Sequence, residues 1–113
     1  MTEKEYFQIR NRFLNKLRPS NGYGTYHGRY DADFNEGIQA GVNVLDRDFQ
    51  RSNVNSGRPM DDMQYRWLQD SLKKLIRNFP SNREETYNQA VLACKSILKA
   101  EFNSLKAGVR GEL

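Results

Sequence analysis

The chain has 113 residues, 18 Lys plus Arg against 14 Asp plus Glu, one cysteine and one histidine, for a formal charge of +4. That length supports a single domain, residues 1–113, and the lone Cys94 and His27 rule out an internal disulfide and a His/Cys zinc site. Mean hydropathy is low at -0.89, yet 12% aromatic content argues for a folded core under a very polar exterior. No apolar run exceeds a few residues, so neither a signal peptide nor a membrane span is expected, and the expected setting is a reducing cytoplasm.

Helical periodicity recurs four times, with no strict apolar/polar alternation, which predicts an all-α fold. The first segment opens with Thr2 and Glu5 in capping-box spacing, stripes Tyr6, Ile9, Phe13, Leu14 and Leu17, and stops at Pro19. The second begins near Asp31 or Asp33, repeats Phe34, Ile38, Val42, Leu45 and Phe49, and ends in the Ser52 to Pro59 loop. The third follows Pro59 with Asp61 and Asp62 in its first turn and carries Leu68, Leu72, Leu75, Ile76 and Phe79 up to Pro80. The fourth opens with Ser81 and Glu84 and stripes Tyr87, Ala90, Val91, Cys94, Ile97, Leu98, Phe102 and Leu105 until Gly108, leaving about 107–113 as a flexible tail.

Four such stripes satisfy one another by packing into a compact bundle of four amphipathic helices. The connection from Arg18 to Tyr30 forms a long Tyr/Gly-rich loop between the first two helices, longer than bundle links usually are. No internal repeat or low-complexity tract is evident. Charge alternates along the chain, +4 over 1–30, -4 over 31–62 and +4 over 63–113, so the second helix is acidic between basic neighbours. Complementarity between helices accounts for this as well as any ligand does.

Some residues break the apolar pattern. Arg10 falls within the apolar arc of the first helix and Glu101 within that of the fourth, so an Arg10 to Glu101 ion pair is expected, with cleft lining as the alternative. Gly37 and Gly41, four apart on one side of the second helix, each disfavour a helix interior, which predicts close approach of another backbone.

The loop gathers Tyr23, Tyr26, His27, Arg29 and Tyr30, flanked by Lys16 and Arg18. Tyrosines present flat amphipathic faces at little rotamer cost, and the cations could meet phosphates, so these seven residues form the main binding candidate. The competing account has the rings folded back over the bundle end. A secondary basic surface comes from Arg66, Lys73 and Arg77, with Asp70 among them, and from Lys95, Lys99 and Lys106, with apolar Leu92 on the same outer side. Contact with an acidic protein or nucleic acid and an ordinary solvated face are the two accounts of it.

No catalytic constellation emerges. Asp31, Asp33 and Asn35 begin like a calcium loop, but Glu36 stands where glycine is required and Val42 where the bidentate acid belongs. His27 has carboxylates near it in sequence but no accompanying nucleophile, phosphate loop or metal cluster, and Cys94 sits on a core face. No helix pair carries the turn of a helix-turn-helix DNA reader. The expectation is a protein that is not an enzyme, with no metal and no cofactor.

The stretch Tyr30-Asp31-Ala32-Asp33-Phe34-Asn35-Glu36-Gly37 followed by Gly41, in a short chain rich in Asn and Lys, resembles small accessory proteins of bacteriophages and mobile elements, among them anti-CRISPR-like inhibitors of host defence. The resemblance implies stoichiometric binding of a host protein or nucleoprotein complex, such as a CRISPR nuclease, without catalysis. Direct nucleic-acid binding through basic residues and loop tyrosines is the first alternative, and an oligomeric structural component is the second.

Overall fold

The computed structural model describes residues 1–18, 26–51, 58–78 and 82–111. They form α1 (Glu3–Leu14), α2 (Tyr26–Arg51), α3 (Asp62–Lys73) and α4 (Asn82–Gly111), with no strand among them. The all-α expectation holds.

Each short helix is capped as its sequence dictates. Thr2 Oγ1 accepts from the Glu5 amide at 3.1 Å while Glu5 Oε1 accepts from the Thr2 amide at 2.7 Å, a complete capping box. In α3 the Asp61 carboxylate accepts from the Gln64 amide at 2.8 Å.

Four expected boundaries are corrected. Helix α1 ends at Leu14 rather than carrying its stripe through Leu17 to Pro19: the Lys16 and Leu17 amides bond back to the Phe13 and Leu14 carbonyls in a tightened last turn, and Leu17 is left exposed. Helix α2 starts at Tyr26 rather than near Asp31 or Asp33, so residues 26–30 are helical backbone and not loop. No proline interrupts this stretch, Gly28 only weakens a helix without ending it, and Asp31 pairs with Arg18 at 3.6 Å instead of capping. Helix α3 ends at Lys73, short of Phe79. Its last turn tightens as the Leu75 and Ile76 amides bond back to the Leu72 and Lys73 carbonyls, and the carboxamide of Asn88 then takes both backbone polar groups of Arg77. Helix α4 runs through Gly111, so 107–111 is helical backbone where a tail was expected; Gly108 lacks the means to stop a helix whose preceding turns are packed.

The two halves of the chain repeat one another, which corrects the expectation of no internal repeat. Helices α1 and α3 have the same length, and Met1, Thr2, Glu5, Tyr6, Ile9, Phe13 and Arg18 correspond to Met60, Asp61, Gln64, Tyr65, Leu68, Leu72 and Arg77. In α2 and α4, Phe34, Asn35, Gly37, Ile38, Gly41, Leu45, Asp48 and Phe49 correspond to Tyr87, Asn88, Ala90, Val91, Cys94, Leu98, Glu101 and Phe102.

The correspondence is physical. Tyr6 stacks on Phe49 at 4.1 Å between ring centroids, and Tyr65 stacks on Phe102 at 4.3 Å. The guanidinium of Arg18 lies 3.9 Å over the Phe34 ring, and that of Arg77 lies 3.9 Å over Tyr87. Contacts between the halves are reciprocal: the Met1 nitrogen donates to Gln64 Oε1 at 2.7 Å, and the Met60 amide donates to Glu5 Oε1 at 3.1 Å. That is the signature of an approximate twofold relation. The signal was present in sequence but thin, because most corresponding positions keep only character, not identity.

Gly37 lies against Tyr87 and Ala90, and Gly41 against Cys94, so α2 and α4 run parallel, with corresponding residues facing across the twofold. They form the most extensive contact of the fold, and α1 and α3 pack antiparallel to α2 and α4 respectively. Ile9, Phe13, Ile38, Val42, Leu45, Leu68, Leu72, Val91, Cys94 and Leu98 fill the centre with almost no exposure. The glycine spacing therefore meets an internal helix, as expected for close backbone approach.

Candidate functional site

The inward charges find partners other than the one expected. Arg10 bonds Asp46 at 3.1 Å and Glu101 bonds Arg12 at 2.8 Å, so the predicted Arg10 to Glu101 pair does not form. Arg12, which no sequence expectation singled out, extends from α1 to α4 and meets the Glu101 carboxylate. The Arg10 charge instead meets α2, where Asp46 also accepts from the Tyr6 hydroxyl. Burial satisfied each charge locally, and helix order decided by which partner.

Of the tyrosine-loop candidates, Tyr23 lies outside the described residues. Tyr26, His27, Arg29 and Tyr30 stand on the first turns of α2, their side chains outside the description. Lys16 and Arg18 are exposed at the end of α1. Arg18 is fully engaged within the chain: its amide donates to Asn35 Oδ1 at 2.7 Å, its carbonyl accepts from Asn35 Nδ2 at 2.8 Å, and its guanidinium serves Phe34 and Asp31.

The secondary basic surface divides in two. Arg77 is held by Glu36 at 3.4 Å and by the Tyr87 ring, and Lys106 pairs with Asp62 at 2.7 Å, which lowers the Asp62 carboxyl below its ordinary range. Arg66 is exposed on α3, outside the groove lining. Lys73, Lys95 and Lys99 instead line one groove of about 670 Å³ between α3 and α4, together with Gln69, Asp70, Leu92 and Ser96. None of the three lysines has an ion-pair partner among the described residues.

Gln69 builds the inner wall. Its Nε2 donates to the Tyr65 hydroxyl at 3.1 Å and to the Lys95 carbonyl at 3.0 Å, tying α3 to α4 beneath the lysines, while its Oε1 is buried with no donor among the described residues. Sequence reasoning passed over Gln69 because it sits at the margin of the Leu68/Leu72 stripe, where a polar residue looks like ordinary edge.

The other half provides an internal comparison. At the places of Gln69, Lys73, Lys95 and Lys99 the first half has Arg10, Leu14, Val42 and Asp46. There the Tyr6, Arg10 and Asp46 network is closed and self-neutralising. One scaffold thus carries a sealed face on α1/α2 and an open cationic face on α3/α4.

A second groove, of about 360 Å³, is lined by Met1, Asp48, Arg58, Pro59, Asp61, Met63, Gln64 and Trp67. Met63 and Trp67, exposed by 80% and 41%, replace the Lys4 and Gln8 of the first half, and Arg51 sits 5.9 Å from the Trp67 ring. Buried Asp48 accepts from Gln64 Nε2 at 2.8 Å, and burial raises its carboxyl above the ordinary range. Cys94, packed against Gly41, has its thiol pushed up to about 12 by burial. Among the described residues no group of His, Cys, Asp or Glu is placed to hold a metal, and no helix is long and apolar enough to cross a membrane.

Compared with known protein families, with curated proteins and with solved structures, the chain matches none.

Proposed function

We propose that this chain is a non-enzymatic helical binding protein that acts stoichiometrically in the cytoplasm, and that it engages an anionic surface of a host protein or nucleoprotein complex through the α3/α4 groove. The observation that carries this reading is the set of three lysines, Lys73, Lys95 and Lys99, lining one groove with no ion-pair partner among the described residues, beside the exposed Leu92. Five other basic residues, Arg10, Arg12, Arg18, Arg77 and Lys106, are paired within the chain. A partner's carboxylates or phosphates complete what the chain itself leaves open.

Affinity capture from a lysate of the source cell, with and without nuclease, tests it. Wild type should retain a partner at about equal molar amount, and Lys95→Glu/Lys99→Glu should lose it. Retention by that variant would overturn the groove assignment. A second reading, direct nucleic-acid binding, is favoured by the same lysines; it requires affinity for naked oligonucleotide that falls steeply with salt.

A further inference from the structure

Resting on that reading, we infer that the occupant of the α3/α4 groove is an acidic amphipathic helix of a partner protein. The lining is chemically mixed in a way that suits a polypeptide better than a phosphate backbone. Lys95 and Lys99 stand one turn apart on α4, about 6 Å, which matches carboxylates at i and i+4 of a second helix, with Lys73 facing them from α3. Leu92, 49% exposed, lies at the end of the same row. A phosphodiester chain gains nothing from that leucine, whereas an apolar side chain on the partner helix buries against it.

Asp70 supplies the second argument. It lies in the groove lining with no partner among the described residues, and it repels phosphate while accepting from an N–H. Helices offer such donors in their first turn, where acidic residues also concentrate. From Leu92 to Lys99 the row spans about 10 Å, or two helical turns, enough to seat a short amphipathic segment. The first half of the chain carries Gln39, Val42 and Asp46 where α4 has Leu92, Lys95 and Lys99, so its corresponding face lacks both the cations and the apolar spot.

The test uses the whole chain as bait for a displayed library of random 16-residue peptides, with dT20 oligonucleotide as a parallel probe in fluorescence anisotropy. Selected peptides should carry Asp or Glu at i, i+4 beside one apolar residue. Their affinity should fall at least tenfold in Lys73→Glu/Lys95→Glu/Lys99→Glu and about fivefold in Leu92→Ala. Circular dichroism checks the fold of each, and the Lys→Gln set replaces the Glu set if the latter misfolds. Peptides without acidic residues, or affinity indifferent to Leu92→Ala, would overturn the inference. Binding of dT20 tighter than any peptide and lost in the triple variant would overturn it too, while leaving the groove as an anionic docking site. If neither probe responds to the three lysines, the inference and the reading beneath it both fall.

Discussion

The carboxamide of Asn88 closes on the backbone of Arg77 as that of Asn35 closes on Arg18, each accepting from the arginine amide and donating to its carbonyl at 2.7 to 3.0 Å. In each half an asparagine of the long helix thereby holds the backbone four residues past the end of the preceding short helix. The arginine side chain then stacks on the ring one position before the asparagine, Phe34 or Tyr87.

Asn35→Ala and Asn88→Ala should therefore destabilise by similar amounts, about 1 kcal/mol each, since two partly solvated hydrogen bonds are lost in both. Replacement by Asp keeps the acceptor and loses the donor, so each Asp variant should fall between wild type and Ala. Urea denaturation checks both statements, and a large difference between the two sites would argue against the repeat as an energetic unit.

Gly37→Ala should destabilise by about 1 to 3 kcal/mol despite the better helix propensity of alanine. A Cβ there would lie 2.6 Å from the Tyr87 carbonyl oxygen and 2.7 Å from the Ala90 Cβ, and backbone has little room to give. Gly41→Ala meets chiefly the Cys94 sulfur at 2.6 Å, so adding Cys94→Ala should recover part of its loss. A double-mutant cycle in denaturant measures the recovery.

The Arg12 to Glu101 bond pairs a half-exposed guanidinium with a carboxylate only 9% exposed. Removing Arg12 leaves that carboxylate buried without its cation, so Arg12→Ala should destabilise by about 1 to 2 kcal/mol, while Glu101→Gln should lower stability less. Coupling energy should be measurable between Arg12 and Glu101 and absent between Arg10 and Glu101, as read from paired cycles.

Burial outweighs the Gln64 hydrogen bond and the nearby Met1 ammonium and Arg51 charges in holding the Asp48 carboxyl above its ordinary value. The folded state therefore binds this proton more tightly than the unfolded one. The resulting stabilisation is present below the unfolded value of about 3.8 and is lost as pH rises through the higher folded value. Asp48→Asn, which keeps an acceptor for Gln64, should raise the melting temperature at pH 7 and match wild type near pH 3. A difference independent of pH would refute the assignment.

With its thiol at about 12 and its side chain in the core, Cys94 should resist aromatic disulfide reagents at pH 8 until the chain opens. Labelling followed across a urea titration should track the loss of helical circular dichroism, and fast labelling of the native protein would contradict its burial.

The amphipathic stripes and the caps at Thr2 and Asp61 were local properties, and they determined by themselves that the chain is helical, roughly where each helix lies and which faces meet in the core. The close approach at Gly37 and Gly41 was legible for the same reason: two helix-disfavouring residues at one spacing need a neighbour. Only tertiary structure decided the partners. Whether Glu101 meets Arg10 or Arg12 depends on which flank of α4 receives α1, and no periodicity encodes that. The same holds for Lys73, Lys95 and Lys99, which lie on two helices and share a groove because α3 packs antiparallel to α4. The repeat lay between the two. Its residues were in plain view, but burial, ring stacking and capping preserve shape and polarity more strictly than identity, so it emerged through matching contacts in space.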